Sequence, residues 1–168
     1  MGTEITGLMG LIIAFCIWWG YFEEAKGAEA RVMEAGSHIG KYQLWLYSHF
    51  PLLIGVVLVA AGIKHVINLD IWQPLPIGEV WLLSAGLGIC LISLSAIFFS
   101  AYNWEECKSR GIQTFRIPYY LIIILVFLTG FLGSSAPGVS ILFILTVLSI
   151  TKVILSFREH PYQTCRIE

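Results

Sequence analysis

A stripe of polar side chains runs along the last long apolar stretch of the sequence. Its members, at spacings of three, three and four residues, are Thr146, Ser149, Lys152 and Ser156. In a helix these spacings place the four side chains on one face. Such a face could line a path for an ion or a solute, with the Lys152 ammonium as its charged group. Alternatively, Lys152 is a snorkelling anchor, whose ammonium reaches the lipid headgroups. It lies about 8 Å from the end of the apolar stretch, and a lysine side chain can span that distance.

His49 lies in another apolar stretch, two residues before Pro51. Proline has no amide hydrogen, so the carbonyl of Tyr47 loses its helical donor. Ionisable side chains within a membrane commonly mark functional sites, and we therefore predict that His49 belongs to the same polar path. The alternative is a structural histidine that packs against a neighbouring helix and bonds to it.

Glu23 directly follows the aromatic run WWGYF at the end of the first apolar stretch. Aromatic rings with one polar edge favour the headgroup level, so this run predicts a membrane interface. Glu23 is then either a solvated charge just outside the lipid or an acidic group that faces the helix bundle. With this residue the candidate polar path comprises Glu23, His49, Ser149 and Lys152.

The composition indicates an integral membrane protein. Of the 168 residues, 57% are hydrophobic and 12% are charged, whereas soluble domains carry about 25% charged residues. Five apolar stretches are long enough to cross a hydrocarbon core of about 30 Å: residues 5–22, 43–67, 79–102, 117–133 and 139–157. We therefore predict an all-α fold, a single transmembrane domain over residues 1–168 that forms a bundle of five helices.

The distribution of basic residues predicts the orientation of this bundle. With five spans, one side of the membrane receives Lys26, Arg31, Lys41, Lys108, Arg110, Arg116, Arg158 and Arg166, and the other side receives only Lys64. Cytoplasmic loops carry an excess of lysine and arginine. The amino terminus is therefore predicted to lie outside and the carboxyl terminus in the cytoplasm.

Small residues recur on the second and third spans. Gly55 and Gly62 lie on the second span, and Gly88 and Ala96 lie on the third. Small side chains let two helix backbones approach closely within a membrane. We predict that these four residues are helix-packing positions and not members of a binding site.

Several classes of protein are excluded or disfavoured. A net charge of −1 is not that of a polybasic nucleic-acid-binding protein. The four cysteines show no CxxC pair and no metal-ligand spacing, and the four histidines are spread over several segments. We see no nucleophile–base pair, so we expect neither an enzyme nor a cofactor, and the lipid bilayer is the first expected partner.

Two adjacent segments resemble the bacterial low-temperature-requirement protein A family. These are WWGYFEE and YSHFPLLIGVVLVAAGIKHVI, which match a WWxYF element followed by a Y-x-H-x-P-L helix with a later glycine-rich turn. The matching positions are Trp18, Trp19, Tyr21, Phe22, Tyr47, His49, Pro51, Leu52, Gly55 and Gly62. The motifs cover residues up to about 70, and the later spans resemble the family in hydropathy.

The resemblance implies a multi-pass protein of the bacterial inner membrane and a carboxyl-terminal half of the family pattern. Family members begin with a different half, which carries ELFFDLVFVF-like and ERHGLF-like elements, and neither element occurs here. The implied partners are a separately encoded amino-terminal half or further copies of this chain. We expect a transport or channel-like subunit for an unidentified solute; the alternative is a non-transporting, structural or partner-binding half of a larger membrane protein.

Overall fold

The computed structural model describes residues 2–25, 39–69, 72–101 and 113–159, and these residues form five long helices. The helices are α1 (Gly2–Ala25), α2 (Ile39–Asn68), α3 (Ile77–Ala101), α4 (Gln113–Leu132) and α5 (Gly138–Glu159), with a short 3-10 turn at Gly133–Ser135. All five are long and apolar enough to cross a membrane, which confirms the predicted all-α, five-span architecture. Most of the helices extend a few residues beyond the apolar stretches, because helical hydrogen bonding continues past the hydrocarbon boundary.

Helix α3 is the central helix of the bundle. Its span has 61% of its residues buried, whereas the other four spans have between 22% and 39%. Its most extensive contact is with α2. A Cβ atom added to Gly55 would lie 2.8 Å from the carbonyl oxygen of Gly86, and one added to Gly62 would lie 2.7 Å from the side chain of Leu83. Both glycines therefore sit where the two backbones come closest.

The other two predicted packing positions lie on α3. A Cβ atom on Gly88 would lie 2.6 Å from the ring of Phe127, so this glycine makes room for an aromatic side chain of α4. Ala96 is half-buried, one helical turn before the buried Ser100. Since apolar side chains gain no hydrophobic energy from leaving lipid, such close packing is a main source of helix association in a membrane.

Two short connections meet at one end of the bundle, which we call the loop end. The amide of Gly138, after the 3-10 turn, donates a hydrogen bond to the carbonyl of Gln73 over 3.2 Å. Leu75 is buried beneath this contact. We call the opposite end the aromatic end, because the carboxyl-terminal half of α1 and the amino-terminal half of α2 place their aromatic residues there.

The structure does not address the orientation predicted from the basic residues. Five of the eight residues on the predicted cytoplasmic side lie outside the described residues: Lys26, Arg31, Lys108, Arg110 and Arg166. Lys41, near the start of α2, lies at the aromatic end, and Lys64 lies near the loop end. The predicted orientation therefore corresponds to a cytoplasmic aromatic end.

Candidate functional site

Lys152 lies inside the helix bundle near the aromatic end. Its side chain is only 3% exposed. Gly20 of α1 faces the Lys152 ammonium so closely that a Cβ atom at Gly20 would overlap Nζ. The side chain therefore turns into the bundle and does not lie along its lipid-facing surface. The glycine in WWGYF thus provides the space that the ammonium occupies.

An aromatic ring of α4 lies against the same ammonium. Lys152 Nζ is 5.8 Å from the centre of the Tyr119 ring, a separation within the range of cation–π attraction. The Tyr119 hydroxyl donates a hydrogen bond of 2.6 Å to the carbonyl of Leu91 on α3. That bond fixes the ring between α3 and α5. Four helices therefore meet around Lys152, since Leu94 of α3 also lies beside Gly20.

The predicted hydroxyl stripe faces the interior of the bundle. Thr146 and Ser149 are both buried on the face of α5 that carries Lys152. Each hydroxyl donates to the carbonyl four residues earlier in α5, Thr146 to Leu142 over 2.7 Å and Ser149 to Leu145 over 2.8 Å. Their protons are therefore used within the helix, and the remaining lone pairs of their oxygens are what the stripe offers to a solute.

His49 forms a bridge between α2 and α1. Its Nδ1 lies 2.8 Å from the carbonyl oxygen of Trp45, and its Nε2 lies 3.4 Å from the hydroxyl oxygen of Tyr21. A carbonyl can only accept, so Nδ1 donates to the Trp45 carbonyl, and Nε2 shares a hydrogen bond with the tyrosine hydroxyl. This geometry is the one expected for the alternative interpretation, in which His49 is a structural histidine that bonds to a neighbouring helix.

The structure places His49 and Lys152 on different sides of α1. Gly20 faces Lys152 and the bundle interior, whereas the next residue, Tyr21, faces His49 on α2. Glu23 is half-buried at the end of α1, and among the described residues no ion pair joins it to Lys152. The four candidate path residues thus share the aromatic end of the bundle, but the described structure does not bring them into one cluster.

A groove of about 420 Å³ lies between α1 and α2. Its walls are apolar and include Ala14, Val56 and Ala60, while Tyr21 and His49 line it as well. Sequence reasoning identified neither this groove nor the neighbours of Lys152. Gly20 was a possible sequence signal for a close contact, since it is the one small residue within an aromatic run. The contact of Tyr119 with Lys152 had no such signal, because it joins residues far apart in the chain.

A separate polar contact lies at the loop end. His65 Nδ1 is 3.3 Å from Glu79 Oε1, which links the end of α2 to the start of α3. Among the described residues, no group of three or more histidine, cysteine, aspartate or glutamate side chains is arranged to hold a metal ion. Among the described residues, Lys152 is the charged side chain that is buried inside the bundle.

Comparison with known proteins extends the resemblance beyond the two motifs. No curated protein and no solved structure matched the chain. Residues 1–154 match the family model described as bacterial low temperature requirement A protein (LtrA). The match includes α1 to α4 and continues into α5 as far as residue 154, and so it reaches well beyond residue 70, where the recognisable motifs end. The chain therefore belongs to the bacterial low temperature requirement A protein (LtrA) family.

Proposed function

We propose that this protein is a transport or channel-like subunit of a bacterial inner membrane and that Lys152 is the charged group its solute meets. The observation that carries the proposal is the burial of the Lys152 side chain among helices α1, α3, α4 and α5. A lysine at the centre of a membrane helix costs about 2.5–3.5 kcal/mol on insertion scales, which is an upper bound for Lys152 because it lies nearer the aromatic end. A bundle that retains such a group gains from its charge, and small anions are the first class of solute to test.

The surroundings of Lys152 support a role for the charge rather than for the alkyl chain alone. The face of the Tyr119 ring attracts a cation, and this attraction amounts to about 0.5–2 kcal/mol depending on desolvation. The ring therefore offsets part of the free-energy cost of burying the ammonium. Ser149, which is also buried, lies one helical turn before Lys152 on the same helix face.

The test is a flux assay in proteoliposomes that contain the purified full chain. Lys152→Gln removes the charge at nearly constant length, and Lys64→Gln is the matched control because Lys64 is exposed near the loop end. We expect anion flux in the wild type and in Lys64→Gln, and its loss in Lys152→Gln. Circular dichroism and gel filtration establish that each variant is folded. Equal flux through the two variants, or none in folded wild type, would refute the proposal.

A second candidate function is a non-transporting half that binds a partner within the membrane. The observation that favours it is the exposure of α1, α2 and α4, whose spans have only 28%, 28% and 22% of their residues buried. A separately encoded amino-terminal half or further copies of this chain could cover those faces. Co-expression with such a half, followed by purification through a tag on this chain, distinguishes the two candidates. A stoichiometric complex without flux favours the second, and a stable monomer with flux favours the first.

The orientation belongs to the same proposal. The eight basic residues assigned to one side by the sequence support a cytoplasmic aromatic end and an external loop end. Lys152 would then lie closer to the cytoplasmic surface than to the external one. We further propose that the chain acts without a cofactor and is not an enzyme, since its chemistry would consist of binding and release at a single charged group.

A further inference from the structure

Ser95 of α3 carries a buried hydroxyl that has no hydrogen-bond partner among the described residues. Its side chain is only 6% exposed. The other three serines of α3 are also buried, and each donates to a carbonyl of its own helix: Ser84, Ser93 and Ser100. A buried donor without an acceptor is costly, and the hydrocarbon core holds no bulk water to replace one. Ser95 therefore keeps an unused donor inside the bundle.

The carbonyl that would ordinarily accept from the Ser95 hydroxyl is already occupied twice. In a regular helix the amide of Ser95 donates to the carbonyl of Leu91, and a serine hydroxyl commonly bonds to that same oxygen. Here the Leu91 oxygen also accepts the Tyr119 hydroxyl over 2.6 Å. A carbonyl oxygen has two lone pairs, so both are in use. The bond from Tyr119 thus accounts for the unused donor of Ser95.

Ser95 lies on the face of α3 that packs against α4. Earlier on this face, a Cβ atom on Gly88 would meet the ring of Phe127, and the carbonyl of Leu91 meets Tyr119. Ser95 follows Leu91 by one helical turn and Gly88 by two, so it continues the same face. The hydroxyl therefore lies beside Tyr119, at the aromatic end of the bundle.

Lys152 approaches Tyr119 from α5. Its Nζ is 5.8 Å from the centre of the Tyr119 ring. Leu94, which precedes Ser95, comes within 3.4 Å of the position that a Cβ atom of Gly20 would take, and Nζ overlaps that position. The Ser95 hydroxyl does not bond to the ammonium itself, so its proton is left for a third group. A hydroxyl donor and an ammonium that border the same ring are complementary to an anion.

We propose that Ser95 and Lys152 together bind a small anion, to which Lys152 supplies the charge and Ser95 donates a directed hydrogen bond. This inference rests on the proposed function, and it adds the residue that selects among anions. The charge attracts every monovalent anion, whereas the hydroxyl favours good acceptors such as chloride over poor ones such as perchlorate. An anion also accepts a stronger hydrogen bond than a neutral carbonyl does, so the hydroxyl would prefer it to the carbonyl of Leu91.

The test titrates chloride into the purified full chain in a non-ionic detergent and follows the chlorine NMR line, which broadens when chloride binds. Ser95→Ala removes the unused donor. Ser93→Ala is the matched control, because the Ser93 hydroxyl is buried in the same helix but donates to the Ile89 carbonyl over 2.7 Å. We expect Ser95→Ala to weaken chloride binding by about tenfold or more, and Ser93→Ala to leave it unchanged. The affinity for perchlorate, measured by displacement of chloride, should change far less in Ser95→Ala.

Three outcomes would overturn the inference: unchanged chloride binding in folded Ser95→Ala, no saturable binding in the folded wild type, or an equal loss for chloride and perchlorate, which a merely distorted site would show. If Ser95→Ala does not fold, Ser95→Cys provides the same test, since a thiol is only a weak donor. The flux assay judges transport separately. Binding that depends on Ser95 in a chain without flux would retain this site and refute transport, whereas flux that depends on Lys152 with unchanged binding in Ser95→Ala would do the reverse.

Discussion

Replacing Gly20 with alanine should displace the Lys152 ammonium from its position in the bundle. The added Cβ would overlap Nζ, while the next neighbour, a methyl group of Leu94, would remain at an ordinary 3.4 Å. The end of a lysine side chain is flexible, so it moves and the backbone stays in place. The variant therefore acts on the position of one charge and leaves the packing of α1 largely unchanged.

The magnitude follows from two opposing effects. Moving the ammonium off the Tyr119 ring loses about 0.5–2 kcal/mol of cation–π attraction. Alanine is better than glycine in a helix by about 1 kcal/mol. In the wild-type background the free energy of unfolding should therefore change little or fall by about 1 kcal/mol. In a Lys152→Ala background there is no ammonium to displace, and the same substitution should raise the free energy of unfolding by about 1 kcal/mol.

The assay is a double-mutant cycle on the reversible unfolding of the purified chain in detergent micelles. The variants are Gly20→Ala, Lys152→Ala and the pair, and we expect a coupling free energy of about 0.5–2 kcal/mol. Gly7→Ala is the matched control, since no heavy atom lies within 4 Å of a Cβ added there, and its effect should be the same in both backgrounds. A Gly20–Lys152 coupling within about 0.5 kcal/mol of zero would refute the contact between them.

Three further predictions concern other contacts of the bundle. Gly55→Ala should lower the free energy of unfolding by about 1–3 kcal/mol, measured in the same micelles, because the new Cβ meets backbone atoms of α3 that cannot move aside; an unchanged stability would contradict the close approach. Tyr119→Phe removes the hydrogen bond to Leu91 and should cost about 0.5–1.5 kcal/mol while anion flux persists, since the ring remains; flux lost with the hydroxyl would show that the ring is not the functional part. A membrane-impermeant thiol reagent applied to intact cells should label Gln73→Cys at the loop end but not Lys41→Cys at the aromatic end, and the reverse pattern would invert the proposed orientation.

The separation of His49 from Lys152 bears on how the two residues should respond to substitution. His49 has the bonding pattern of a structural bridge, with one ring nitrogen directed at its own helix and the other at Tyr21. Lys152 lies among side chains of other helices. Substitution of His49 is thus expected to act first on the contact between α1 and α2, and substitution of Lys152 on the charge within the bundle.

The number and type of the elements followed from the sequence alone. A stretch of about 20 apolar residues has only one stable state in lipid, because a helix satisfies every backbone hydrogen bond within its own segment. The spacing of Thr146, Ser149 and Lys152 also placed these side chains on one face of α5, since three to four residues make one helical turn. Family membership was visible in the WWGYF and Y-x-H-x-P-L segments, although the family match extends to residue 154.

The surroundings of each polar group depended on the tertiary structure. Sequence spacing could not decide whether Lys152 faces lipid or the bundle, because both faces of α5 are rich in apolar residues. The answer came from Gly20 and Tyr119, which lie far from Lys152 in the chain and meet it only when α1 and α4 pack against α5. The groove likewise is lined by residues of α1 and α2 that are far apart in the chain and meet only when these helices pack. Local periodicity determines which face of a helix is polar, whereas the packing of distant helices determines what that face touches.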